Sequence, residues 1–141
     1  MIDFKEMRIL IRHKDRLKWA IMREEAKATR STTSLSKSGG GGKGRTSSKV
    51  EDGAIALAIM RDEYNQTSEE LDQLQKELKR YFKHMTDLER TVMRLRYVKG
   101  LSCGEIADKL FYSKDHIFHI ARKAEIDVTR RQNASKTDGS A

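Results

Sequence analysis

The chain has 141 residues, no proline, one cysteine and a net charge of +8, and 35% of its residues are charged. This composition is typical of a small, mostly helical, cytoplasmic protein of one or two units. A single cysteine excludes an internal disulfide. The longest nearly apolar run is residues 53–60, which is too short to span a bilayer, so no membrane partner is expected. The basic excess favours a polyanionic partner, although most of it lies in residues 1–49.

The first predicted element is one amphipathic helix over residues 3–28. Phe4, Met7 and Ile11 recur at helical spacing on one face, and the opposite face is charged. Residues 29–49 are rich in glycine, serine and basic residues, so they are predicted to form a flexible linker. The spacing of a P-loop is missing from this basic segment, and a phosphate-binding loop of that kind is not expected.

A second, long helix is predicted over residues 49–84, opened by the capping box Ser48–Glu51. One heptad position along it is occupied by Leu57, Tyr64, Leu71, Leu78 and Met85. Such a repeat predicts a coiled-coil seam. Two solutions would bury it: the N-terminal helix folds back antiparallel to form a helical hairpin, or a second copy pairs through residues 50–85 as a homodimer. The sequence does not decide between them.

The hydrophobic spacing of residues 101–120 predicts a helix-turn-helix, a motif with which many proteins bind the major groove of DNA. Ser102 and Glu105 can form a capping box for the first helix, and Ser113 can cap the second. Ala107 is small where the two helices should touch most closely. The expected apolar contacts are Ile106, Ala107, Leu110, Tyr112, Ile117 and Ile120. An ordinary helical hairpin in a bundle core uses similar spacing and is the alternative.

A supporting helix is predicted ahead of this motif, over residues 86–99. The capping box Thr86–Glu89 opens it, and Gly100 ends it. The two helices of the motif are expected over residues 103–110 and 114–128.

The fold class is therefore predicted to be all-α, with a long helical hairpin or coiled coil followed by a tri-helical helix-turn-helix domain. The predicted domains are residues 1–85 for the hairpin and its linker, and residues 86–130 for DNA binding. Residues 131–141 are polar and are predicted to form a disordered tail.

Recognition residues are expected on the outer face of the second motif helix, whose first turns read base edges while its flanks touch phosphates. Lys114 can donate to guanine O6 and N7, Asp115 can accept from cytosine N4, and His119 can do either. Arg122 and Lys123 are better placed for phosphates. The predicted DNA-binding residues are Ser113, Lys114, Asp115, His116, His119, Arg122 and Lys123. A charged face that is merely solvated is the alternative.

No enzyme, metal site or cofactor is predicted. His116 and His119 stand three residues apart, but no cluster of cysteine or histidine accompanies them. Cys103 has no nearby His-Asn or His-Asp arrangement that would activate it as a nucleophile. The carboxylates are spread over helix faces at ordinary spacings, so they form no acid–base pair.

The C-terminal third resembles region four of bacterial sigma factors, the part of those proteins that reads promoters. The likeness covers residues 86–124 and rests on RLRYVKGLS, EIADKL and the run S-x-x-x-I-x-x-I-x-x-K-A. It implies that the first turns of the last helix contact the minus-thirty-five promoter element through Lys114, Asp115 and His119.

Two departures from that family stand out in this chain. Phe111 occupies the turn position where the family usually has glycine, which is often left-handed, so the turn is expected to differ or to be strained. Phe118 and His119 replace longer polar side chains, so a different base preference is expected.

The whole layout also resembles a family of small phage and prophage proteins of Gram-positive bacteria, related to late-transcription regulators of the RinA/ArpU type. The likeness rests on the order of helix, Gly/Ser/Lys-rich loop, long helix and sigma-like domain, and on the junction GGGGKGRTSSKVEDGAIAL. It implies a sequence-specific regulator that binds double-stranded DNA, acts with host RNA polymerase on late genes, and is associated with the bacterial nucleoid. The alternatives are a small terminase-like DNA-packaging subunit and an adaptor that binds polymerase without touching DNA.

Overall fold

The computed structural model describes residues 1–38 and 43–139, with side chains for residues 1–29 and 52–136. Within these ranges the fold is all-α, as predicted, and contains no strand. The helices are α1 (Phe4–Ser38), α2 (Lys43–Arg80), α3 (Asp87–Tyr97), α4 (Cys103–Leu110) and α5 (Lys114–Gly139), with a short 3-10 helix at Phe82–His84 between α2 and α3.

The predicted linker is largely helical in the structure. Helix α1 continues to Ser38, and α2 begins at Lys43, ahead of the capping box that was expected to open it. Serine or threonine lengthens an existing helix at a cost of only about 0.5 kcal/mol per residue relative to alanine. The cost is small because the unfavourable first turn has already formed and no proline intervenes. The helix bounds predicted at residues 28 and 49 are therefore wrong. Residues 39–42 of the predicted linker lie outside the described residues.

The chain divides into two compact units, residues 1–11 with 71–141, and residues 12–70. This division differs from the predicted boundary after residue 85. The reason is that the last turns of α2 carry Leu71 and Leu78, which are buried in the same hydrophobic core as the helix-turn-helix. At this end of α2 the predicted seam is covered by the chain itself.

One hydrophobic core holds the first unit together. Helices α1 to α5 each contribute a fully buried side chain, in order Met7, Leu78, Met93, Ile106 and Ile117. Burying a side chain of this size stabilises a fold by about 1.5–3 kcal/mol. The N-terminal residues of α1 and the last residues of α2 are therefore part of the domain that carries the motif.

The second unit contains polar contacts between α1 and α2. The imidazole Nε2 of His13 lies 2.9 Å from the carboxylate of Glu63, and Arg61 donates to the carboxylate of Glu25 at 2.8 Å. All four side chains are at least one-third exposed, so each pair contributes at most about 1 kcal/mol.

Helix α3 starts one residue after and ends two residues before the predicted bounds of 86 and 99, and both predicted end signals are present. Thr86 accepts a hydrogen bond from the Glu89 N–H at 3.2 Å, and Gly100 has a φ of 75°. A Cβ atom on Gly100 would lie 3.2 Å from Cγ2 of Ile11, so glycine serves both the left-handed turn and the close approach of α1.

Helix α5 continues to Gly139, so its predicted end at residue 128 is wrong and residues 131–139 of the predicted tail are helical. Val128 and Gln132 are both buried and continue the inward spacing of the helix. Arg131 also donates to the Asp127 carboxylate one turn earlier, at 3.1 Å. This i, i+4 ion pair spans the predicted end at residue 128 and favours continuation of the helix.

Candidate nucleic-acid interface

Two serine caps define the helix-turn-helix. Ser102 accepts a hydrogen bond from the Glu105 N–H at 3.2 Å, and the Ser102 N–H donates to the Glu105 carboxylate at 3.3 Å. This completes the predicted capping box. Ser113 accepts from the His116 N–H at 3.2 Å, as predicted. Both helices of the motif therefore begin at residues set by local hydrogen bonds.

The turn between α4 and α5 contains a left-handed residue that is not glycine. Phe111 has φ 61° and ψ 41°, and its N–H donates to the Ala107 carbonyl. The Tyr112 N–H donates to the same carbonyl at 3.0 Å. Phe111 therefore bears a conformational cost of about 1–2 kcal/mol, and its ring is 94% exposed, so burial does not offset that cost.

The packing of the motif follows the predicted apolar positions, with one exception. Ile106, Ala107 and Ile117 are buried between the helices, and Ala107 provides the small side chain there. Tyr112 was expected to join them but is 44% exposed, and its ring lies 5.0 Å from the His116 ring. It follows the left-handed residue and lies outside the core of the unit.

All seven predicted DNA-binding residues are exposed. Ser113 uses its oxygen to cap α5, and His116 is held against an aromatic ring. Lys114, Asp115 and His119 lie on the first two turns of α5, and in the described part of the chain neither Lys114 nor Asp115 forms an ion pair. The structure thus brings the predicted base-reading side chains together on one open surface.

Two grooves border α5 from His119 onward. We call the first the α1 groove: it measures about 660 Å³, separates the N-terminal part of α1 from α5, and is lined by Lys5, Arg122 and Arg130 among other residues. The second, the α3 groove, measures about 570 Å³ and includes Lys123 of α5 and His84 of the 3-10 helix. Arg122 and Arg130 line both grooves.

A partly buried polar network lies at the α1 groove. The Arg8 guanidinium donates to the Tyr97 hydroxyl at 2.9 Å and to the Glu125 carboxylate at 3.3 Å, and the Tyr97 hydroxyl donates to the same carboxylate. Burial and the negative charge of Glu125 raise the pKa of Tyr97 well above its ordinary value. Burial alone would lower the pKa of Arg8, but its bond to Tyr97 and the charge of Glu125 raise it overall. The negative charge of Glu125 is therefore compensated within the protein.

Sequence reasoning missed the cations Lys5, Arg130 and Arg131 as residues of this surface. Lys5 lies far from the motif in sequence, and only the tertiary fold reveals its position beside α5. The two arginines fell in the assumed tail. The i, i+4 spacing of Asp127 and Arg131, which can pair on a helix, was a usable signal that the helix, and with it the basic surface, continues.

The described residues contain no group of three or more histidine, cysteine, aspartate or glutamate side chains that could hold a metal ion. Cys103 is half-buried beside the hydrophobic core. Within the same residues, no helix is both long enough and apolar enough to cross a membrane.

Comparison with known proteins identifies one family. No curated protein and no solved structure matches the chain. The family DUF1492, described as proteins of unknown function, matches residues 28–129, which is more than half of the chain. The matched region includes α2, α3, α4 and the part of α5 that carries the predicted recognition residues. The chain therefore belongs to the DUF1492 family.

Proposed function

We propose that this protein binds double-stranded DNA in a sequence-specific manner through the first turns of α5. The observation that carries the proposal is the capped helix-turn-helix, in which Ser102 and Ser113 set the helix starts and Ala107 lies buried between the helices. A motif built in this way presents the N-terminal turns of its second helix to the major groove. Those turns carry the exposed residues Lys114 and Asp115.

The exposed side chains offer complementary chemistry for base edges. Lys114 can donate to the guanine acceptors O6 and N7, whereas Asp115 can accept from the cytosine N4 amine. One turn later, His119 can donate or accept. A good contact of this kind discriminates between bases by about 1–3 kcal/mol. Arg122 and Lys123 follow on the same helix and supply positive charge for phosphates.

The proposed role is regulation of transcription, in particular activation of phage or prophage late genes together with host RNA polymerase. It is supported by the likeness of residues 86–124 to sigma region four and by the likeness of the junction GGGGKGRTSSKVEDGAIAL to small phage and prophage proteins. The protein would then act on promoter DNA in the bacterial cytoplasm, in association with the nucleoid.

Selection from a pool of random duplexes, followed by a gel-shift titration, tests this proposal. We expect a single enriched motif, and we expect the double variant Lys114→Ala/Asp115→Ala to lose preference for it. Lys76→Ala is the matched control, because Lys76 is also exposed but lies on α2. A pool that shows no enrichment after selection by the parent protein would refute sequence-specific binding.

A second candidate function, an adaptor that binds polymerase without touching DNA, is favoured by the exposed aromatic side chains around the turn. Phe111, Tyr112 and Phe118 are all exposed. Aromatic residues are enriched at protein–protein interfaces. Footprinting of promoter DNA without polymerase separates the two functions, because the adaptor leaves no footprint by itself.

A further inference from the structure

We propose that the N-terminal part of α1 belongs to the DNA interface, with Lys5 contacting the phosphates of one strand while Lys123 contacts those of the other. This inference rests on the proposed DNA binding and extends it to a segment outside the helix-turn-helix. It assigns a role to the α1 groove and the α3 groove, which border α5 and which the base-reading turns do not explain.

The two grooves lie on opposite flanks of α5. Glu125 and Thr129 line only the α1 groove, whereas Lys123 and Asp127 line only the α3 groove. Since successive residues of an α-helix are about 100° apart, these two pairs point in nearly opposite directions around the helix. The outer face of α5 therefore forms a ridge with a groove on each side.

The acidic residues of the α1 groove are engaged within the protein. Asp3 accepts hydrogen bonds from the N–H groups of Lys5 and Glu6 at 3.0 and 3.3 Å, so its carboxylate caps α1. Glu125 is held by Arg8 and Tyr97. In the described residues, the Lys5 ammonium has no ion-pair partner of its own. Its charge therefore remains available to an external anion.

The acidic residues of the α3 groove also have partners within the protein. Asp127 pairs with Arg131 at 3.1 Å, and Glu89 accepts a hydrogen bond from the Thr86 hydroxyl at 3.1 Å. Among the described side chains, Lys123 has no such partner. The ridge arginines, Arg122 and Arg130, are likewise exposed and line both grooves. Each groove is lined by four lysine or arginine side chains and two carboxylates, so each flank of α5 carries a net positive charge.

The backbone of duplex DNA fits this arrangement. The major groove is about 12 Å wide and accepts one α-helix, so the two sugar-phosphate strands run along both sides of that helix. A helix with a cationic groove on each flank can receive both strands. The α1 groove would hold one strand between Lys5 and Arg122, and the α3 groove would hold the other beside Lys123.

The salt dependence of binding tests the role of Lys5. Each phosphate contact releases counterions, so affinity falls as the salt concentration rises. Removing one contact makes the negative slope of log affinity against log salt concentration shallower by about one. We expect Lys5→Ala to make the slope shallower by that amount on both the selected duplex and an unrelated duplex, and Lys5→Arg to retain the parent slope. Lys18→Ala is the matched control, because Lys18 is also exposed on α1 but belongs to the second unit. Equal melting temperatures of the variants and the parent would verify folding.

The outcomes separate this inference from the proposed function. If the parent protein binds no duplex DNA, both fail. If the parent binds and Lys5→Ala retains the parent slope, only the inference is overturned, and the Lys5 charge is merely solvated. A loss restricted to one base pair of the selected duplex would also overturn it, since phosphate contacts are independent of sequence. A Lys5→Ala defect in binding an acidic peptide, with duplex binding unchanged, would overturn it in favour of a protein partner.

Discussion

The hydroxyl of Tyr97 on α3 donates a hydrogen bond to the carboxylate of Glu125 on α5, and both groups contact the guanidinium of Arg8 on α1. Three helices that are distant in sequence are thereby joined beneath the α1 groove. The network positions the N-terminal part of α1 beside α5 and compensates the one acidic side chain that α5 contributes to that groove. A structural role and an electrostatic role therefore coincide at Glu125.

The first prediction concerns stability at high pH. The folded protein raises the pKa of Tyr97, so the folded state retains the phenolic proton more strongly than the unfolded chain, in which tyrosine titrates at about 10. Tyr97 therefore contributes its full stabilisation of the folded state below a pH of about 10. That stabilisation is lost as the pH rises further, and the free energy of unfolding should then fall by about 1.4 kcal/mol per pH unit. Urea unfolding at several alkaline pH values measures this slope.

Tyr97→Phe should remove this part of the alkaline slope and also cost about 1–2 kcal/mol at neutral pH, because a buried hydrogen bond is lost. Tyr112→Phe is the control, because Tyr112 is exposed and should change neither quantity. Equal alkaline slopes for Tyr97→Phe and the parent protein would show that the Tyr97 proton is not linked to folding.

The second prediction concerns the end of α2. Leu78 is fully buried, so Leu78→Asp should destabilise the protein by several kcal/mol, roughly the cost of an unpaired charge in an apolar core. Ile55→Asp on the same helix should have little effect, because Ile55 is 59% exposed. Thermal unfolding followed by circular dichroism compares the two variants. If Leu78→Asp melts at the parent temperature, Leu78 is not part of the core.

The same pair of variants addresses the possible homodimer through residues 50–85. If a dimer forms through the exposed part of α2, Ile55→Asp should reduce the mass measured by light scattering at high concentration, while parent and variant should melt at nearly the same temperature at concentrations low enough to dissociate the dimer. A parent protein that is already monomeric at high concentration would remove this dimer from consideration.

Local features of the fold could be predicted from the sequence because their causes lie within a few residues. The caps at Ser102 and Ser113 depend on groups three residues ahead, and both are found. The ends of α1 and α5 could not be predicted in the same way. Glycine and serine content suggested a loop and a tail, but elongation of an existing helix is inexpensive, and the Asp127–Arg131 pair favours the continuation of α5.

In the candidate site, too, local features could be predicted from the sequence and contacts between helices could not. The outer residues of α5, such as Lys114, follow from helical periodicity and are exposed as predicted. The position of Lys5 beside Arg122 depends on how the helices pack, and helical periodicity carries no information about it. The contact of Tyr97 with Glu125 was not predicted either, since its partners lie on different helices.

The third prediction concerns the strained turn. Phe111→Gly should raise the free energy of unfolding by about 0.5–1 kcal/mol, because glycine adopts a positive φ without the steric cost that Phe111 bears. Phe111→Ala is the matched control, since it removes the same exposed ring but keeps the Cβ atom, and we expect no comparable gain. Urea unfolding measures both variants. A gain of equal size for alanine would attribute the effect to the ring and not to the backbone.

The last prediction distinguishes base reading from phosphate binding on α5. Lys114→Ala should weaken binding to the selected duplex by about 1–3 kcal/mol and relax the preference at one base position, because its ammonium lies on the leading turn. Arg122→Ala should weaken binding to every duplex and reduce the magnitude of the log–log salt slope by about one, because Arg122 borders both of the grooves that are proposed to receive the DNA strands. Titrations of a selected and an unrelated duplex at several salt concentrations measure both effects. If neither variant alters binding, α5 is not the DNA reader, and the adaptor becomes the better explanation of the exposed aromatic side chains around the turn.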